Sequence, residues 1–297
     1  MKKSANYLII LFKDIGVLFL YSLLYISLVG CVQYAFYLIN HWDRPGDFPL
    51  PLQGPGDLLI DRLAETIVLL AYFAKHRKLQ LNYRRILNLQ LNKFLNGSMG
   101  FGYAALTILF ITGIMMALGA VSLIYNPSFS VIEAIIYFLL FISVGFNEEF
   151  TMRGIWLEYL LKRHHTITAV TITSLVFAVL HLGNPNITLL AFFNLILAGV
   201  TLAQLYLLTR NIWLAAFFHF GWNFFQGPVL GFAVSGLPMH SVFIQPANNT
   251  NVLINGGAFG LEGSIIETIV TGTMAIVIGW VLWNSPAKRI APSTSIA

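Results

Sequence analysis

Apolar residues run through this chain in long blocks instead of the one-faced stripes or strict alternation of a water-soluble fold. Such blocks lie near residues 15–39, 58–75, 101–124, 130–161, 166–183, 187–208, 212–231 and 264–284. At 1.5 Å per residue, roughly 17–25 residues cross a ~30 Å hydrocarbon core, whereas a barrel strand is about half as long and alternates in polarity. The pattern predicts helices, about eight of them. The fourth block is too long for one simple crossing, so it is expected to be tilted, broken or continued along the interface. Two polar stretches, Asp43–Asp57 and Ser235–Gly263, are rich in turn-forming residues and read as external loops.

Composition supports the same reading. Hydrophobic residues make up 57% of the 297 and DEKR only 10%, against roughly 25% charged in an average soluble domain. The fold class is therefore all-α, a polytopic integral membrane helical bundle. The formal charge of +5 comes from 17 Lys+Arg against 12 Asp+Glu. With the N-terminus in the cytoplasm, Lys2, Lys3, Lys13, the run Lys75–Lys93, Lys162, Arg163, Arg210, Lys288 and Arg289 all fall inside, and only Arg44, Arg62 and Arg153 lie elsewhere. That asymmetry follows the positive-inside rule and puts both termini in the cytoplasm, at a plasma or inner membrane. The basic excess thus speaks for a lipid bilayer as partner and not for nucleic acid.

The run Lys75–Lys93 mixes cations with Leu and Ile. It reads equally as a helix lying on an anionic leaflet or as a polybasic stop-transfer loop. Met1-Lys2-Lys3 resembles the start of a secretory signal, but Lys13 and Asp14 interrupt the apolar run and no small-residue cleavage site stands out, so a retained first helix is expected. Cys31, the single cysteine, allows no internal disulfide and no Cys-based metal cage.

Charges inside spans are costly and commonly mark function. The densest group is Asn147-Glu148-Glu149-Phe150-Thr151-Met152-Arg153. Glu149 and Arg153, four apart, share a helix face and can pair, while Glu148 is turned about 100° away. An ion-pair knot that fixes helix packing needs one glutamate, and here there are two. The second must be protonated, hydrated or paired at a distance. Three histidine sites bear on it: His181, His219 with Asn223, and the juxtamembrane pair His164/His165, which reads as a solvated helix end. A lone intramembrane histidine is more often a packing residue than a catalyst. Depth favours His181, because Glu148 and His181 each lie about 22 Å up from the same side. His219 and Asn223, four apart, face one point with two donors at an overlapping level. A Glu and a His to hold water, with a His and an Asn to receive negative charge, are the parts that acyl hydrolysis needs, in an intramembrane cavity that water can reach.

These residues resemble the CPBP (CAAX protease and bacteriocin-processing, Abi) intramembrane proteases, related to the type II CAAX prenyl endopeptidase. The family patterns EExxxR, FxxxH and HxxxN occur in order as Glu148-Glu149-Phe150-Thr151-Met152-Arg153, Phe177-Ala178-Val179-Leu180-His181 and His219-Phe220-Gly221-Trp222-Asn223. Two softer matches are Asn211–Ala216 and Gly256–Gly263. The resemblance implies a catalytic membrane core at 101–284, preceded by N-terminal helices and a basic cytoplasmic loop at 1–100 and followed by a short cytoplasmic tail at 285–297. It also implies that Glu148 is a general base on a water held by His181, that His219 and Asn223 form the oxyanion site, and that Glu149 and Arg153 support them. The substrate it implies is a membrane-associated protein or peptide, prenylated or not.

No cofactor is expected. Two His with a Glu would suit Zn²⁺, but HExxH is absent, and a metal-free glutamate mechanism is favoured. Gly54-Pro55-Gly56-Asp57 spells the GxGD of aspartyl intramembrane proteases, yet in a Pro-containing loop without a partner Asp in a later span, and no rhomboid-like GxSG occurs. The competing class is a non-catalytic transporter, receptor, or immunity or scaffold protein whose polar residues bind a ligand or fix packing. Pseudo-symmetric halves would mark a transporter, and none are seen.

Overall fold

The computed structural model describes residues 2–40, 54–75, 79, 81–88, 91–245 and 251–284. The expected tail at 285–297, most of the loop Asp43–Asp57 and part of the basic run Lys75–Lys93 lie outside them. The described chain is helical, with one two-stranded ribbon, as an integral membrane bundle requires. Two compact units divide at Leu81.

In the first unit, α1 (Lys2–Asn40) packs on α2 (Pro55–Lys75). Tyr25 donates its hydroxyl to Glu65 at 3.1 Å, and Arg62 pairs with the same carboxylate at 2.7 Å. Tyr25, Tyr72 and Phe73 form an aromatic cluster beside this pair.

The second unit begins with a single turn, α3 (Tyr83–Ile86), capped by Asn82. Over 81–88 the basic run is therefore one turn and not a long surface helix. Next come α4 (Leu91–Ala117), β1 (Ile124–Tyr125), and α5 (Val131–Glu149), which passes without a break into a π-helical stretch (Phe150–Leu157) and α6 (Glu158–Leu161). α7 (Thr166–Leu180), α8 (Leu189–Thr209) and α9 (Trp213–Phe224) follow, α9 continuing as a π turn to Val229. β2 (Phe243–Ile244), α10 (Val252–Asn255) and α11 (Ile265–Asn284) complete the order. The overlong fourth block is thus one helix over Val131–Leu161 whose hydrogen bonding widens just after the two glutamates. π segments inside α-helices recur at functional sites. Among the described residues five helices are long and apolar enough to cross a membrane: Asn6–Val32, Leu95–Ala117, Val131–Leu161, Leu189–Thr209 and Ile265–Asn284. The blocks at 58–75, 166–183 and 212–231 are also helical, as α2, α7 and α9 with its π turn, without reaching that length and apolarity.

Helix α9 sits at the centre of this unit, against α4, α5 and α8. Membrane helices approach closely where small residues face one another. A Cβ on Gly100 of α4 would lie 2.4 Å from the Leu214 carbonyl oxygen, and one on Gly145 of α5 would lie 2.6 Å from that of Ala216. Phe220 then stacks between the two clasping helices, 4.8 Å from Phe101 and 4.9 Å from Phe138. The start of α9 is tied to the α3 segment through Ile212 N–H to the Ile86 carbonyl at 3.1 Å and Trp213 Nε1–H to that of Asn88 at 3.1 Å. At the same end Glu158 binds both Arg85 and Arg210. Gly145→Ala is expected to cost about 1–3 kcal/mol, the usual cost of overpacking. Thermal unfolding in detergent checks this against Gly102→Ala, where an added methyl meets nothing within 4 Å. Equal midpoints for the two variants would mean that the clasp does not hold α9.

Two expectations change. The described parts of the stretch Ser235–Gly263, 235–245 and 251–263, do not hang free in solvent. Phe259, Leu261, Glu262 and Gly263 are buried, and Asn194 of α8 donates to the carbonyls of Glu262 at 2.8 Å and Ser264 at 2.9 Å. Left-handed glycines make the fold-back feasible: Gly256 and Gly260, with φ of 83° and 100°, reverse the chain where a Cβ would strike backbone. Of the juxtamembrane histidines, His165 is exposed, but His164 is buried.

Candidate active site

The charged run straddles the change from α- to π-helix. Glu149 ends α5, and Arg153 lies within the π stretch. Both side chains are wholly buried, and Arg153 Nη1 donates to Glu149 Oε1 at 2.7 Å, the i, i+4 pair read from the sequence. Arg153 Nη2 also donates to the Gly199 carbonyl at 3.1 Å, and its guanidinium lies 4.9 Å from the Phe177 ring centroid. One cation therefore binds the first motif to α7 and α8. Gly199 suits this role because α7 is so close there that a Cβ would lie 2.8 Å from the Ser174 Cα.

His219 joins the motifs. Its Nδ1 lies 3.0 Å from Glu149 Oε1 and its Nε2 lies 3.9 Å from Glu148 Oε2, so the ring stands between two carboxylates. Glu149 is sealed, whereas the Glu148 side chain keeps 29% of its surface accessible. Asn223 is one turn along α9 and buried. His181 caps α7, and its Nδ1 lies 2.7 Å from the Phe177 carbonyl oxygen. An N–H there donates to that oxygen and leaves Nε2 as an acceptor.

His181, His219 and Asn223 all line one cavity, together with Phe177, Trp222 and Thr201. Glu148 meets this group at His219. Among the described residues, no three His, Cys, Asp or Glu side chains are gathered closely enough to hold a metal ion.

Sequence reasoning gave no role to the two acidic residues of the cavity, Glu262, which lies in the softer match Gly256–Gly263, and Glu267. Glu262 Oε2 accepts from Ser235 N–H at 2.7 Å and from its hydroxyl at 3.0 Å. Glu267, at the start of α11, is 1% exposed. The signal that picks out Glu148 would also have found Glu267, because it is an acid inside an apolar span. Glu262 is harder to find, since its segment reads as a loop until the glycine-led reversal is known.

Compared with known proteins, residues 129–225 match the family model described as type II CAAX prenyl endopeptidase Rce1-like. The match covers about a third of the chain and includes all three motifs. No curated protein and no solved structure matches.

Proposed function

We propose, from the match of residues 129–225 to the Rce1-like type II CAAX prenyl endopeptidase family model, that the chain is a member of that family and an intramembrane glutamate endopeptidase acting on a membrane-associated protein or peptide. The observation that carries the reading is His219 set between Glu149 at 3.0 Å and Glu148 at 3.9 Å, on a cavity it shares with His181 and Asn223.

Each side chain has one task. His181, with Nδ1–H on the Phe177 carbonyl, accepts a hydrogen bond from one O–H of the water at Nε2 and so orients it. Glu148 removes the second hydrogen as a proton while the water oxygen bonds to the substrate carbonyl carbon, and the O–H bound to His181 stays intact. The displaced electron pair goes to the carbonyl oxygen, which receives hydrogen bonds from His219 and the Asn223 amide. Collapse of this intermediate breaks the C–N bond, and Glu148 passes its proton to the departing amine. The Glu149–Arg153 pair does not touch substrate; it holds His219 through Nδ1. In this reading no step passes through a metal. The basic segments support a topology with both termini in the cytoplasm, at a plasma or inner membrane.

The test compares membrane proteins cleaved in cells carrying the parent chain and an inactive form, then follows the peptides so identified with purified protein. Asn223→Ala is expected to lower kcat by about 10²–10³-fold with little change in KM, as loss of an oxyanion donor does. A change confined to KM would sink the oxyanion assignment. Identical membrane proteomes would favour a non-catalytic protein.

A further inference from the structure

The α11 side of the cavity carries two buried carboxylates that the hydrolytic scheme does not use. Among the described residues, neither Glu262 nor Glu267 forms an ion pair with a lysine or arginine. On the cavity wall Glu267 Oε2, Thr201 Oγ1 and Thr271 Oγ1 have no partner within hydrogen-bond distance, although Thr271 lies near enough to Glu267 to act on its carboxyl. All three residues line the cavity, and each is at most 3% exposed. Buried charge without a counter-charge is costly, and buried polar atoms are ordinarily satisfied.

The chain supplies its own comparison for Glu267. Ser130-Val131-Ile132-Glu133 and Ser264-Ile265-Ile266-Glu267 are the same helix-start pattern, Ser-x-Ile-Glu. At α5 both halves of the capping box form: Ser130 Oγ accepts from Glu133 N–H at 3.2 Å, and Glu133 returns to Ser130 N–H at 2.9 Å. At α11 only the first half forms, with Glu267 N–H donating to Ser264 Oγ at 3.0 Å. The Ser264 N–H goes instead to the Leu261 carbonyl at 3.0 Å, and the Glu267 carboxyl lines the cavity. The glutamate has left its local partner and faces a space that a ligand would fill.

We propose that Glu267, seconded by Glu262, is a subsite for a cationic side chain of the substrate, a lysine ammonium or arginine guanidinium next to the cleaved bond. This rests on the endopeptidase reading for its setting. The threonine hydroxyls at 201 and 271 accept further N–H bonds from the same group. A metal ion is the poorer occupant, because no three ligating side chains converge here, whereas an ammonium or guanidinium brings its own donors to scattered acceptors.

Two measurements on the full chain in detergent test it. The first reads thermal unfolding with n-butylguanidinium, its neutral isostere n-butylurea, NaCl and CaCl₂. The expected result is stabilisation by n-butylguanidinium alone, lost in Glu267→Gln and kept in Glu148→Gln. Equal shifts with n-butylurea, a shift only with an inorganic salt, or retention in Glu267→Gln would overturn the subsite. The second compares cleavage of lipidated peptides carrying Lys or norleucine beside the scissile bond. The parent is expected to favour Lys by about 30-fold or more in kcat/KM, the low end for a buried charge pair, and Glu267→Gln to lose that ratio. Cleavage with no Lys preference in the parent refutes the subsite and spares the peptidase. Cation binding through Glu267 without cleavage of any peptide does the reverse.

Discussion

Glu148→Gln is expected to lower peptide-bond cleavage by about 10²–10⁴-fold, the range a positioned general base contributes, with the folded protein at parental abundance. The amide keeps the shape of the carboxylate, and the side chain is only partly buried, at 29% accessible, so little packing changes. What is lost is the capacity to take a proton from water and return it to the leaving amine. Single-turnover cleavage by purified parent and variant, with expression and unfolding midpoint as controls, measures this. Equal rates would remove Glu148 from the mechanism.

Arg153→Met is expected to destabilise the protein by about 3–5 kcal/mol, because it leaves a buried carboxylate without its cation. The arginine has no exposed surface and holds Glu149, the Gly199 carbonyl and the Phe177 ring at once. The cost arises from Glu149 more than from lost volume, so Glu149→Gln combined with Arg153→Met is expected to recover a good part of it. Unfolding midpoints of the two single variants and the double variant decide this. Additive losses would mean that the pair is two independent packing residues and not one unit.

The Glu149–Arg153 pair was legible in the sequence because helical periodicity alone brings residues four apart together. The spacing of His219 and Asn223 was legible for the same reason, and the helical membrane class follows from block length. His219 reaching both glutamates was not, since it depends on how α9 packs against α5, and that is set by Gly145 and the Phe101–Phe138–Phe220 ring cluster. Nor did the widening of the helix after Glu149 leave a mark in the apolar pattern, which is equally continuous through α and π turns. The Ser235–Gly263 segment misled for a physical reason. Its Gly, Pro and Asn content signals irregular backbone, but irregular backbone can be buried when a side chain such as Asn194 satisfies its carbonyls.

The return of that segment also bears on assembly. Residues 129–225 contain every reactive group proposed here, yet Ser235, Glu262, Glu267 and Thr271 of the cavity wall come from later in the chain. During synthesis the groups proposed for hydrolysis are therefore made before this part of the wall exists, and it is added only when α11 docks on α8. On the proposed reading, the groups of the chemistry and the acidic part of the wall are thus encoded in separate stretches of one polypeptide, so that either could be altered while the other is kept.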